Sequence, residues 1–372
     1  METGSLRPTI VEVSLARLAD NFRAIQAAVA PAAVMPIVKA NAYGHGLVPV
    51  ARHLVSLGAG SLGVAFLEEA VALREAGVSV PILVMGGIFG DQIPIFLRHG
   101  LTMTASSIDK LKQIDETAGR TGVTAKAHLK IDTGMERIGV HYYSARGLLE
   151  RASECRHTVA EGIYSHFASS DAADLTSARL QLARFHEVLE WYDKQGVPPP
   201  LRHMANSGAV LQLPESHLDL VRPGILLYGV YPSAEVRKTI AVRPALSLRS
   251  RVVYFKVVSP GHPVSYGSTW QSDHPVRVVT VPVGYGDGYF RALSNVAHVL
   301  IRGQKYPVVG RVCMDQIMVN LEWNSAFNGD VVTLLGADGT ELITCEDLAE
   351  WAGTIPYEVL TNLNTRIPRV YV

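Results

Sequence analysis

The chain has 372 residues, 48% hydrophobic and 18% charged, with 34 basic side chains against 34 acidic ones. That length supports a sizeable core and two domains, and the composition excludes a disordered chain. With no net charge there is no electrostatic case for nucleic acid or an acidic membrane surface.

Residues 1–8 lack the long apolar core of a signal peptide, and the richest apolar stretch, 27–38, is broken by Pro31 and Pro36. The expectation is a cytoplasmic protein without a membrane span. Leu15, Leu18, Phe22 and Ile25 then recur at helical spacing, and Ser14 is placed to cap that helix. From there to about residue 230, short apolar runs alternate with segments of helical period. The runs are 35–38, 61–65, 82–85, 101–104, 125–132, 162–165, 201–204 and 218–221. Helices are predicted over 106–121 and 178–195, with a shorter one after Asn206. Repeated strand–helix alternation predicts a (β/α)₈ barrel, with a doubly wound sheet as the competing architecture. Beyond about residue 235 come β-rich runs at 246–258, 276–283, 296–301, 306–313, 317–321 and 331–335. Arg302-Gly303-Gln304-Lys305 reads as a hairpin turn, and one short helix falls near 346–351. The expected organisation is a barrel over 1–235 and a mainly β domain over 236–372.

Cys155, Cys313 and Cys345 are widely spaced, which fits reduced thiols better than disulfides or zinc. The 13 histidines show no metal-ligand spacing, so no metal is predicted. The run Gly284–Tyr289 lacks the spacing of a nucleotide fingerprint and reads as a tight turn.

Chemistry gathers where the predicted strands end, the face on which barrel enzymes place their active groups. Lys39 closes the first run and opens a loop containing Gly44 and Gly46. An amine whose pKa is lowered at such a place can attack a carbonyl and form a Schiff base, although a surface lysine would fit the segment too. On the fifth strand, alternation puts Lys126, His128, Lys130 and Asp132 on one face, opposite Ala127, Leu129 and Ile131. The apolar face should meet helices, which sends the polar set inward. A buried Lys130 then needs a partner or a change of charge. Carbamylation, pairing with Asp132 and exposure at the strand mouth all remain open. The seventh and eighth strands deliver Asn206-Ser207-Gly208 and Arg222-Pro223-Gly224-Ile225, where barrels often hold a phosphate. Together with Lys39 they suggest a phosphorylated carbonyl cofactor.

The segments 38–46, 130–139, 165–167, 205–207, 221–225 and 264–267, with Met314-Asp315 and Tyr357, resemble alanine racemase over nearly the whole chain. The resemblance implies an N-terminal barrel, a C-terminal β domain, pyridoxal 5'-phosphate as cofactor and a head-to-tail homodimer. It also implies that residues near Thr9–Val13 pair with the β domain. Lys39 would carry the cofactor as a Schiff base and act as base on one face of the substrate Cα. Tyr266, from across the dimer interface, would act on the opposite face, because one fixed base returns a proton to the side it left. An ordinary tyrosine titrates near pKa ~10, and the implied chain from Tyr266 through His166 to Arg222 would lower that barrier. Arg222 would face the pyridine nitrogen. A guanidinium cannot accept a proton, so the ring stays a weak electron sink and racemisation is favoured over transamination or decarboxylation. Read alone, Arg222 would be an ordinary salt-bridge residue.

The same resemblance assigns Tyr43, Ser207, Gly224, Ile225 and Tyr357 to the phosphate, and Asn206 and His166 to the cofactor ring. Arg137 would contact the cofactor phenolate and the substrate carboxylate, held by a carbamylated Lys130, with Met314 as a backbone donor to that carboxylate. Asp171, Tyr285, Arg291, Arg311 and Asp315 would line the substrate entrance. Tyr43 and Tyr357 taken singly would read as packing. The implied activity is interconversion of L- and D-alanine for peptidoglycan. A racemase of broader specificity, such as one for serine, competes with it. A barrel-type decarboxylase would need a carboxylate in place of Arg222. A cofactor carrier without turnover would consist of the barrel alone.

Overall fold

The computed structural model describes residues 6–372. The reading of residues 1–8 as free of an apolar core therefore lies in part, over residues 1–5, outside the described residues. Two compact units emerge. One comprises Ala19–Ala42 and Leu47–Val242. The other comprises Arg243–Val372, Tyr43–Gly46 and the described residues up to Leu18.

The first unit is the expected barrel. Its parallel strands run in the order Ala33–Val34, Leu220–Val221, Leu201–His203, Thr158–Tyr164, Ala125–Asp132, Thr102–Ala105, Ile82–Val84 and Leu62–Val64. A parallel bridge from Ile37 to Gly63 closes the ring. The first strand differs from the predicted 35–38: it pairs at Ala33–Val34 and again only at Ile37. Pro36 sits between and has no N–H for the ladder, although its carbonyl accepts from Gly63. The sixth strand begins at Thr158, earlier than predicted, because Glu161 interrupts its apolar pattern at the rim. Ser14 accepts from the amide of Arg17 as the helix Leu15–Val29 begins. Ser107 and Asn206 accept in the same way from Lys110 and Ala209. The helix Ile108–Thr121 ends on Gly122 in the left-handed region.

The second unit is mainly β. Among the described residues its sheet runs from Tyr254–Val258 through Val276–Val281, Ile317–Asn320, Gln304–Val309, His298–Ile301, Val331–Asp338 and Leu246–Arg251 to Ile10–Val13 and Arg369–Tyr371. The predicted run 246–258 is two strands that pair with different neighbours, Leu246–Arg251 with Val331–Asp338 and Tyr254–Val258 with Val276–Val281. Arg302 and Gly303 form the predicted hairpin turn, with φ of 53° and 72°. Two helices, Cys345–Ala352 and Pro356–Asn362, stand where one was expected. The run Gly284–Tyr289 is the tight turn anticipated, a 3₁₀ turn over Tyr285–Asp287 followed by Gly288 at φ 95°.

Candidate active site

Lys39 opens a turn of the wrong hand. Ala40, Asn41, Ala42 and Tyr43 have φ of 53°, 55°, 52° and 51°. Left-handed backbone costs an L-residue roughly 1–2 kcal/mol, so this turn must be over-determined by its bonds. The Ala40 amide donates to Glu69 at 2.6 Å, Ala42 to the Val38 carbonyl at 2.9 Å, and Leu47 to Asn41 at 2.8 Å. Glu69 also accepts from Ala65 and Phe66 at 2.9 and 3.1 Å, which anchors the next loop to the same carboxylate. Burial, and then the positive charge of Arg137, hold the Lys39 amine below its ordinary value against the opposing pull of Glu69.

Lys130 is buried in the barrel, as alternation required, and donates to the Ile131 carbonyl at 2.9 Å. Burial first, then Arg222 and Arg137, bring its pKa down to about 7 although Asp132 pulls upward. Asp132 is committed elsewhere. Its carboxylate accepts from the amides of Gly134, Met135 and Arg137 at 2.8, 2.9 and 3.2 Å. Burial raises the Asp132 pKa, but those amides outweigh it and hold the carboxyl ionised. Asp132 thereby ties down the turn that carries Arg137, a residue exposed on the loop.

Arg222 is 3% exposed and bonds neutral acceptors. NH1 meets His203 Nδ1 at 2.7 Å, and NH2 meets the carbonyls of Ser165 and Met204 and His166 Nδ1 at 2.7, 3.1 and 3.3 Å. Burial lowers its pKa only to about 10, so it stays cationic at neutrality. The Tyr164 ring centroid lies 5.2 Å from the Arg222 guanidinium and 5.1 Å from the Lys130 amine. His166 is held well below its ordinary pKa by burial and then by Arg222, Lys130, Arg137 and Lys39. Ser207 is buried and its hydroxyl accepts from the amides of Gly224 and Leu226 at 2.9 and 3.3 Å. Gly208 leaves no room for a Cβ, which would stand 2.6 Å from the Ser170 carbonyl. Asn206 caps the helix Ser207–Gln212 and accepts from Ser170 at 2.5 Å, while the Asp171 carbonyl accepts from Ser233.

The other sequence-derived residues belong to the β unit. Tyr43 and Tyr357 face each other at 6.2 Å. Tyr266 begins a 3₁₀ turn between Ser265 and Gly267, with φ of 68° and 72°, and is 72% exposed. Arg311 lies against that turn, and its carbonyl accepts from the Ser265 hydroxyl at 2.7 Å. The Met314 carbonyl accepts from Gly286 at 2.9 Å, beside Tyr285, and Asp315 pairs with Arg366 at 2.6 Å. Arg291 is exposed on a 3₁₀ turn.

Sequence reasoning missed Glu69, Tyr164 and His203. Inward parity on the sixth and seventh strands would have found the last two. Glu69 leaves no periodic trace, because it acts on backbone amides outside its own helix.

The barrel thus concentrates Lys39, Lys130, Arg137 and Arg222 against Glu69 and Asp132, whose oxygens are already taken by amides. That excess of positive charge fits an anionic ligand. A donor-only guanidinium and an amine of lowered basicity fit a phosphorylated pyridine aldehyde. Fold and charge together fit a barrel enzyme that uses pyridoxal phosphate. Residues 13–232 match the description "Alanine racemase, N-terminal domain", and 245–371 match "Alanine racemase, C-terminal domain". The alanine racemase of Carboxydothermus hydrogenoformans is 44% identical over 99% of this chain and 100% of its own. Solved alanine racemases are equally similar in shape. That of Streptomyces coelicolor superposes with TM-score 0.94 at 36% identity, covering 100% of both chains. That of Bacillus anthracis, with bound L-Ala-P, gives 0.93 at 36%, covering 99% of this chain and 96% of the other. The chain belongs to the alanine racemase family.

Proposed function

We propose that the chain interconverts L- and D-alanine with two bases, Lys39 on one face of the substrate Cα and Tyr266 of a second copy on the other. When bound, pyridoxal phosphate supplies the electron sink that loosens the Cα proton. Lys39 would hold the cofactor. Ser207, Gly224 and Ile225, with Tyr43 and Tyr357, would hold its phosphate, and Asn206 and His166 its ring. Arg137 and the Met314 amide would receive the substrate carboxylate. Asp171, Tyr285, Arg291, Arg311 and Asp315 would line the entrance. Burial and then Arg137 lower the basicity of Lys39, which favours its release of a proton as well as its uptake.

The observation that carries this reading is Arg222. It is a buried cation bonded only to neutral acceptors, so it can donate to a ring nitrogen and never protonate it into a strong sink. Because a guanidinium only donates, His166 Nδ1 must accept, which puts the His166 proton on Nε2, free to stabilise a phenolate. Exposure of Tyr266 leaves its phenol within reach of a second copy and supports a homodimer that shares its sites. Near-neutral Lys130 is nucleophilic enough to take up carbon dioxide, and the carbamate would hold Arg137. A cytoplasmic location and a role in peptidoglycan complete the reading, with a barrel domain over 1–235, its N-terminal residues paired into the β sheet, and a β domain over 236–372.

Incubation with L-alanine in deuterated water tests it. Racemised alanine with deuterium at Cα is expected, whereas release of carbon dioxide would replace the proposal with a decarboxylase. Sedimentation equilibrium tests the dimer, and a persistent monomer retaining full activity would overturn the shared site.

A further inference from the structure

Behind Arg222 the barrel interior holds two imidazoles that the two-base reaction does not use. His203 Nδ1 lies 2.7 Å from Arg222 NH1, and His203 Nε2 lies 2.8 Å from His128 Nδ1. A guanidinium has hydrogens and no lone pair to offer, so His203 Nδ1 must accept and the His203 proton must sit on Nε2. That proton points at His128 Nδ1, which must accept in turn, and the His128 proton is thereby placed on its own Nε2. Each link fixes the tautomer of the next.

Packing leaves these rings little freedom. Tyr164 stacks on His203 at 4.8 Å with 3° between planes, and the two imidazoles meet at 4.9 Å. A Cβ on Gly162 would stand 2.6 Å from His128. Both histidines are buried and neutral. Burial and then Arg222 take His128 down to about 4 and His203 well below its ordinary value. The far end of the row is not sealed. His128 is 5% exposed, and its Nε2 has no protein partner among the described residues. It lines a cavity of 770 Å³ at the N-terminal ends of the strands, walled by Val34, Met35, Leu83 and Leu220.

We propose that His203 and His128 are positioning residues, a one-way donor row from Arg222 through His203 to His128 that fixes the guanidinium from behind, with its last member reachable from the barrel foot. The row does not carry protons; its work is to accept. This rests on the reading of Arg222 as the partner of the cofactor ring.

Replacing His128 by Ala extends the foot cavity to His203 and strips His203 Nε2–H of its acceptor. Loss of such a supporting bond should lower kcat by about 10–100-fold, with KM for alanine little changed. Imidazole added to the buffer can enter from the foot and should restore turnover. N-methylimidazole, which accepts but has no N–H, should restore it as well. Rescue by imidazole alone would make the row a proton conduit and overturn the proposal. So would a wild-type rate in His128→Ala, or rescue by neither compound.

Heteronuclear NMR of labelled histidine nitrogens in wild-type protein, with and without cofactor, needs no variant to fold. Both imidazoles should be neutral with the proton on Nε2 from about pH 6 to 9, and a proton on Nδ1 of either would refute the row. Arg222→Ala separates the two readings. Full racemisation in that variant defeats the role of Arg222 itself, whereas loss there beside an unaffected His128→Ala defeats the row alone.

Discussion

In the barrel unit, Lys130, His128, His203 and Arg222 lie buried, and each is held by named bonds to carbonyls or imidazoles. In the β unit, Tyr266, Tyr285 and Met314 are 72%, 42% and 53% exposed, on turns whose backbone is fixed while their side chains reach outward. The contrast separates two ways of making a site. The barrel prepares charge in advance, at a cost in desolvation that dense bonding offsets. The β unit prepares only direction and leaves its side chains to be completed by contact with something else. Substitutions in the first place should therefore move stability and chemistry together. In the second they should move chemistry alone.

Tyr266→Phe is the largest test of that separation. Removing one exposed hydroxyl leaves packing untouched, so Tm should stay at the wild-type value and cofactor absorbance should persist. Loss of a general acid–base group typically costs about 10²–10⁴-fold. Racemisation should fall alike from both enantiomers, whose equilibrium constant is one, while Lys39 still exchanges the Cα hydrogen of the one enantiomer it faces. Proton NMR of each enantiomer in deuterated water measures it, and equal exchange from both would discard the second base.

Lys130 gives the opposite signature. Its folded pKa is about 7, whereas an unfolded lysine holds its proton to about pH 10. Between those values the unfolded chain binds more protons, so stability rises with pH there by at most about 1.4 kcal/mol per unit. Below the folded pKa the penalty of a buried cation is present in full. Lys130→Met should remove both the penalty and the slope. Replacing a buried charge with an apolar group of similar size can stabilise by about 1–4 kcal/mol. Urea unfolding in carbon dioxide-free buffer across this pH range decides the matter, and parallel slopes in the two proteins would contradict it. Added bicarbonate should flatten the wild-type slope if a carbamate forms.

Much of this organisation was legible in the sequence because it is written at short range. Alternation along Ala125–Asp132 located Lys130 indoors, and turn residues marked the boundaries of the β unit. The left-handed turn after Lys39 was not legible, since Ala40, Asn41 and Ala42 carry no obligatory turn code and the bond that anchors it comes from Glu69. The three-residue strand Arg369–Tyr371 escaped for a related reason. It pairs with Ile10–Val13, more than 350 positions away, and is too short to show a period. The histidine row needed the register of neighbouring strands, which no single segment encodes.

The turn itself offers a test of intermediate size. Ala40 is exposed and sits at φ 53°, so its methyl contributes no burial and only backbone strain. Ala40→Gly should stabilise by about 0.5–1 kcal/mol, the left-handed penalty less the entropy of an added glycine. Chemical denaturation measures the gain, and a loss of stability would mean that the anchor at Glu69 requires alanine.

The smallest expected effect comes from the same strand as Lys130. Lys126 points to the same side four residues earlier, yet at the barrel foot, where its amine meets Glu161 at 2.7 Å with half its side chain in water. An exposed pair of this kind contributes about 0.2–1 kcal/mol and is screened by salt. Lys126→Ala should therefore lower stability by about 0.5 kcal/mol or less, lose even that at high salt, and leave racemisation unchanged. Two lysines of identical parity then differ only in depth. A large effect at Lys126 would show that the foot of the barrel is as dry as its centre, and the distinction between prepared charge and open rim would fail inside the barrel itself.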